Sequence, residues 1–150
     1  MQACLAAILG GGFKGTLDAS TGVKAGNSST SAGDRDIFLA KYDTGLNFVW
    51  QKSYGGAGPD FITSVATDSQ GAIYAAGFVG TGTVLAGTTA AAPSIFVAKF
   101  DGSNGAIGWA KLLGIPARLD PVTNKNVPTY DIKPQVASDG TNVYLLSAYG

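Results

Sequence analysis

The octapeptide Asp36-Ile37-Phe38-Leu39-Ala40-Lys41-Tyr42-Asp43 returns 58 positions later (36 to 94) as Ser94-Ile95-Phe96-Val97-Ala98-Lys99-Phe100-Asp101. A long fixed period constrains the fold more than any other feature here, because each copy is one supersecondary unit that buries its apolar surface against its neighbours. The echo extends in both directions. Trp50-Gln51-Lys52 answers to Trp109-Ala110-Lys111 after a one-residue slip in the intervening turn. Ala7-Ile8-Leu9 and Gly12-Phe13-Lys14-Gly15-Thr16 answer to Ala72-Ile73-Tyr74 and Gly77-Phe78-Val79-Gly80-Thr81. Val65-Ala66-Thr67-Asp68 answers to Val136-Ala137-Ser138-Asp139.

Four strand-like segments recur in each period. The first is 61–68, echoed by 132–139. The second is 72–78, echoed by 7–13 and 142–149. The third is 94–100, echoed by 36–42, and the fourth is 107–113, echoed by 48–54. All are rich in Val, Ile, Phe, Tyr and Thr, which suit a pleated, half-buried surface, and no stretch carries a helical period. The chain therefore reads as all-β. Apolar residues stand at both parities of the third strand (Ile37, Phe38, Leu39; Ile95, Phe96, Val97), as expected of a sheet covered on both faces. The first-to-second and third-to-fourth connections are tight and hold Asp, Asn and Gly, the residues that supply turn hydrogen bonds and positive φ. The other two kinds of connection are long and variable. In an antiparallel meander they share one end, and variable loops on a rigid scaffold are where recognition residues collect.

Repeated four-stranded antiparallel sheets with this pattern of connections predict blades of a β-propeller. The strand count of three, four and two gives about two blades of an incomplete propeller: a partial blade over 1–56, a complete blade over 57–114, a Pro-rich inter-blade loop over 115–132, and a partial blade over 133–150. A propeller closes with four to eight blades, so the expectation is a piece of a longer polypeptide, with a ring of several copies as the alternative.

Composition removes several function classes. With 45% hydrophobic and 13% charged residues, the chain is too apolar to be disordered. A formal net charge of zero gives no electrostatic footprint for nucleic acid, and the longest apolar runs are too short for a membrane span. The chain has no histidine, which excludes Ser-His-Asp and Cys-His nucleophile systems within it. The lone Cys4 allows no internal disulfide and reads as a small buried side chain. The N-terminus lacks the positive region of a signal peptide, and the repeat accounts for Ala7-Ile8-Leu9.

Individual residues mostly take structural readings. Asp43, Asp68, Asp101 and Asp139 each stand alone in a turn, where they bond the local backbone; calcium would need several converging carboxylates. Lys41, Lys99, Lys52 and Lys111 are expected to pack their stems and expose their ammonium groups. Trp50 and Trp109 are expected to pack between blades. Asn27-Ser28-Ser29 matches the glycosylation tripeptide, read here as a chance match. The loop 115–132 is the least repeat-like stretch, and its Pro, Arg and Tyr residues suit a stiff binding loop. The candidate ligand-binding residues, all on the long-loop face, are Arg35, Asp60, Arg118, Tyr130 and Asp131. No catalytic residue, metal site or cofactor is expected.

The pattern D/S-I-F-L/V-A-K-Y/F-D…W-x-K followed by V-A-T-D-S-x-G-x-I-Y-x-x-G-F-x-G-T resembles the bacterial β-propeller repeat called the SBBP repeat, over nearly the whole chain outside residues 115–133. The resemblance implies a secreted or cell-surface protein and passes on no catalytic residues. The expected function is a non-catalytic propeller segment acting as a scaffold, with other blades and a protein or glycan as partners. A fragment of a propeller enzyme, quinoprotein dehydrogenase-like or glycan-degrading, is the alternative. The stretch from Asp101 to Trp109 is similar to the tryptophan-docking motif of quinoprotein propellers, a structural motif there.

Overall fold

The computed structural model describes residues 6–20, 28–115, 118–119, 126–127 and 133–147, and among these the chain is all-β with no helix. In chain order, β1 (Ala7–Phe13) is followed by a short ribbon, β2 (Thr16–Leu17) and β3 (Ser29–Thr30), then by β4 (Asp36–Tyr42) and β5 (Phe48–Tyr54). Next come β6 (Phe61–Thr67), β7 (Ile73–Val79), a second ribbon of β8 (Val84–Leu85) and β9 (Thr88–Thr89), β10 (Ser94–Phe100) and β11 (Ile107–Gly114). A third ribbon, β12 (Arg118–Leu119) and β13 (Asn126–Val127), precedes β14 (Gln135–Ser138) and β15 (Val143–Leu146). The three ribbons were not foreseen, since two-residue strands are too short to carry any periodicity.

The long strands form three antiparallel sheets: three strands in the order β1-β4-β5, four in the order β11-β10-β7-β6, and the hairpin β14-β15. Each tight turn closes on its aspartate, as expected. Asp43 Oδ1 accepts from the backbone N–H groups of Gly45 and Asn47, and Asp68 Oδ1 from those of Gln70 and Ala72. Asp101 accepts from the Ser103 N–H, and Asp139 from those of Thr141 and Asn142. The one-residue slip between the copies lies in the β4–β5 and β10–β11 turns. The Asp43 N–H reaches the Asn47 carbonyl, four residues on, whereas the Asp101 N–H reaches that of Ala106, five on. Both hairpins then shift register at corresponding places, between Lys41 and Tyr42 and between Lys99 and Phe100.

The sheets stack face to face. Ile37, Leu39 and Trp50 of the first meet Ile73, Ala75, Val79, Phe96, Ala98 and Phe100 of the second, and the β8–β9 ribbon adds Leu85. On the far side of the second sheet, Tyr74 and Ala76 pack with Val136, joined by Val97, Trp109, Val143 and Leu145. Every residue of β7 is buried, which explains why its sequence runs apolar without alternation. Full burial of an aromatic or branched side chain contributes roughly 1.5–3 kcal/mol, so the two packed faces dominate stability. At Gly77 β7 runs too close to β6 for a side chain: a Cβ there would stand 2.0 Å from the Phe61 carbonyl oxygen, opposite the β6 bulge between Ile62 and Ser64. Two hydrogen bonds from that bulge tie down the third sheet, Thr63 Oγ1 to the Pro134 carbonyl at 2.6 Å and the Val136 N–H to Ser64 Oγ at 3.1 Å.

One lysine expectation needs correcting. The Lys41 ammonium is not simply exposed: from the edge of an open groove it donates to the Gly102 carbonyl at 2.6 Å. Stacking brings the β10–β11 turn of the second sheet over the first, a placement no local sequence signal carries.

Candidate functional site

The tight turns gather at one end of the stack and the long connections at the other, and the candidate residues Arg35 and Asp60 lie together at the long-connection end. Arg35 forms an isolated parallel bridge with Pro59, and the Asp60 N–H donates to the Arg35 carbonyl at 2.6 Å. The Arg35 side chain is exposed, with its guanidinium 5.8 Å from the Phe61 ring centroid, a cation–π placement that leaves its N–H donors in solvent.

Asp60 is placed differently. It is fully buried. Its Oδ1 accepts from the Gly80 N–H at 2.8 Å and Thr83 Oγ1 at 2.7 Å, and its Oδ2 from the Gly56 N–H at 2.9 Å. Burial pushes its pKa up, the hydrogen bonds from Thr83, Gly80 and Gly56 oppose that, and the charge of nearby Asp36 adds to the rise. With both oxygens occupied, Asp60 braces the connection between β7 and β8, and so shapes the loop that Arg35 flanks. Arg118 opens the β12–β13 ribbon, while Tyr130 and Asp131 lie outside the described residues.

Two features escaped the sequence reading. Asp36 is 4% exposed; its Oδ2 accepts from the Ala32 N–H at 3.0 Å, and its Oδ1 has no hydrogen-bond partner among the described residues. The signal was a charge difference between the paired octapeptides: Asp36 stands where the second copy has Ser94, whose hydroxyl donates to the Ala92 carbonyl. The other feature is an open groove of about 530 Å³ at the tight-turn end, between Lys41, Gln70, Lys99, Phe100, Asp101 and Ser103. Its size falls within the range of small-molecule sites. Its chemistry is sparse: hydrogen bonds from the Ser103 side chain and backbone hold the Asp101 carboxylate well below the usual range, with Lys41 assisting. Its titratable lining is Lys41, Lys99 and Asp101. Among the described residues no group of three or more His, Cys, Asp or Glu side chains is placed to hold a metal, and no helix is long and apolar enough to cross a membrane.

The arrangement presents hydrogen-bonding loops on a rigid stack. Comparison with protein-family models finds no match, and comparison with curated proteins finds no relative.

Proposed function

We propose that the chain is a run of β-propeller blades of the SBBP type, without catalytic activity, from a secreted or cell-surface bacterial protein, where it serves as a scaffold for recognition at its long-loop end. The observation that carries this reading is the burial of β7 along its whole length between two further sheets. That is how a blade sits between its neighbours. The location outside the cell rests on the repeat resemblance alone.

Recognition is assigned to the long-connection end because the scaffold there is braced and the loop tips are free. Asp60 fixes the β7–β8 connection from within, while the ribbon tip Ala86 to Thr89 and Arg35 are exposed. A protein segment or an extracellular glycan is the ligand class such a polar, uncharged-on-balance surface suits.

The test is binding of the purified chain to an immobilised panel of bacterial polysaccharides and surface peptides. Exchanging the tip 86–89 for Gly/Ser, together with Arg35→Ala, is expected to weaken whatever binding the panel reveals by about tenfold or more, the loss of roughly one good contact. A paired change at the opposite end, Gln70→Ala with Ser103→Ala, is expected to leave it unchanged. Equal binding by the loop-exchanged form refutes the assignment.

A further inference from the structure

The β10–β11 turn holds the only Asn-Gly bond in the sequence, Asn104-Gly105, and the structure seats that bond against the first sheet. Asn104 is exposed, and its Oδ1 accepts from the Ala106 N–H at 2.8 Å, an Asx turn that folds the carboxamide back over its own backbone. Gly105 is buried. Its N–H donates to the Asp101 carbonyl at 2.7 Å, and its carbonyl accepts from the Tyr54 hydroxyl of the first sheet at 2.8 Å. The Gly102 carbonyl of the same turn accepts from Lys41 Nζ and Trp50 Nε1, at 2.6 and 3.4 Å.

The contact with the first sheet, more than the backbone, calls for glycine at 105. Counting back from Trp50 and Trp109, the other copy of the turn has Leu46 at the matching place, with φ +60° against +73° for Gly105. A side chain is therefore held there at left-handed φ in one copy. At 105 a Cβ would stand 2.7 Å from the Trp50 ring. Fitting the turn to Trp50 thus places, directly after an exposed asparagine, a backbone nitrogen that no side chain shields. Asn47 and Asn142 are followed by the bulky Phe48 and Val143.

We propose that Asn104 is a site of spontaneous deamidation, gated by the lifting of the β10–β11 turn from the first sheet, and that its isoaspartyl product stops the turn from reseating. The Gly105 nitrogen gives its proton to water and bonds to Asn104 Cγ; the Cγ–Nδ2 bond breaks, and Nδ2 takes up a proton and leaves as ammonia. Water then opens the succinimide. Cleavage of the new Cγ–N bond gives aspartate, and cleavage of the old backbone C–N bond gives isoaspartate, with one more carbon in the main chain. While the turn is seated, the Asp101 carbonyl holds the attacking N–H and Tyr54 holds the Gly105 carbonyl, so ring closure waits on local opening. Aspartate at 104 still accepts from the Ala106 N–H, as Asp43, Asp68, Asp101 and Asp139 accept from the N–H two residues on. The extra carbon of isoaspartate instead moves Gly105 off Trp50 and Tyr54. None of this depends on recognition at the loop end.

The experiment incubates the folded chain, its Tyr54→Phe variant and the chain unfolded in urea side by side in warm neutral buffer. Peptide mass spectrometry follows each asparagine, and labelling by an isoaspartyl methyltransferase separates isoaspartate from aspartate. Asn104 is expected to convert ahead of Asn47 and Asn142, and fastest in urea. Tyr54→Phe is expected to speed conversion by about threefold to tenfold over the folded natural chain, the effect of one lost hydrogen bond on turn opening. The isoaspartyl form, separated from the aged chain, is expected to melt more than about 2 °C below it, whereas Asn104→Asp stays within about 2 °C of the natural chain. No conversion of Asn104 in the folded chain while the urea sample converts overturns the site. Equal rates in all three samples overturn the gating. An isoaspartyl form that melts with Asn104→Asp overturns the loss of reseating.

Discussion

Gly105→Ala tests whether the turn of one sheet is fitted to the aromatic face of the next. Gly105 has φ +73°, and a Cβ there would stand 2.7 Å and 2.9 Å from two carbons of the Trp50 ring and 2.8 Å from Lys52 Cγ. Three effects decide the outcome. Holding an L-residue in the left-handed region costs about 1–2 kcal/mol. Restricting the unfolded chain returns about 0.4–1 kcal/mol. Pushing a methyl group into a packed interface costs about 1–3 kcal/mol, and Trp50 has little room to yield, being 9% exposed and bonded to the Gly102 carbonyl. The net is a loss of about 2–3 kcal/mol. Gly71 is the matched control: φ is +85° and no heavy atom lies within 4 Å of a Cβ there, so Gly71→Ala pays the backbone cost alone and loses about 1 kcal/mol or less. Urea unfolding followed by circular dichroism and tryptophan fluorescence gives both values from midpoints at constant slope. If Gly105→Ala is no more damaging than Gly71→Ala, the turn does not press on Trp50 and the account of the interface is wrong.

Three further outcomes are expected. Phe96→Ala removes a fully buried ring from the first interface and should cost about 3–5 kcal/mol; a loss below about 1 kcal/mol in urea titration would mean the sheets do not stack there. Thr63→Val keeps the shape of the side chain but deletes its bond to the Pro134 carbonyl, so stability should fall by about 1 kcal/mol and hydrogen-exchange protection of the Val136 amide should drop ahead of that in β7. The pH dependence should have two legs of opposite sign. Hydrogen bonds from Asn47 to Asp43, from Ser103 to Asp101 and from Asn142 to Asp139 hold these carboxyls below their ordinary 3.8, so their stabilisation is present above that value and lost as pH falls through the depressed ones. Asp60 is raised above 3.8 by burial, so its contribution is present below 3.8 and lost as pH rises through the raised value. Asp60→Asn should erase the second leg while lowering stability overall, because the amide no longer accepts from the Gly56 N–H; an unchanged pH profile in that variant would refute the assignment.

The candidate site was only partly legible in the sequence. Arg35 and Asp60 were placed at the long-connection end from topology alone, and the structure brings them into direct backbone contact. What the sequence could not show is that Asp60 faces inward, because its partners come from Gly56, Gly80 and Thr83, two of them twenty or more residues away. Asp36 was visible as a departure from the second octapeptide, but its burial depends on the packing around it. The groove between Lys41 and Lys99 has no local signature, since it forms where turns from two sheets come side by side.

The amino-acid sequence by itself determined the strands. β-Branched and aromatic composition and Asp/Gly turns are local properties, and β1, β4, β5 and β10 begin and end where the repeat placed them. It also determined the pairings across the tight turns, β4 with β5, β6 with β7, β10 with β11 and β14 with β15, whereas β1 with β4 and β7 with β10 pair across long connections. Only the tertiary structure decided what each face of those sheets covers: that β7 is enclosed on both sides, that Lys41 reaches a carbonyl 61 residues along the chain, and that Lys99 meets no such carbonyl among the described residues. Those outcomes depend on which sheet lies against which, and apolar burial, which drives the stacking, carries no direction of its own until backbone carbonyls and indole donors fix the fit.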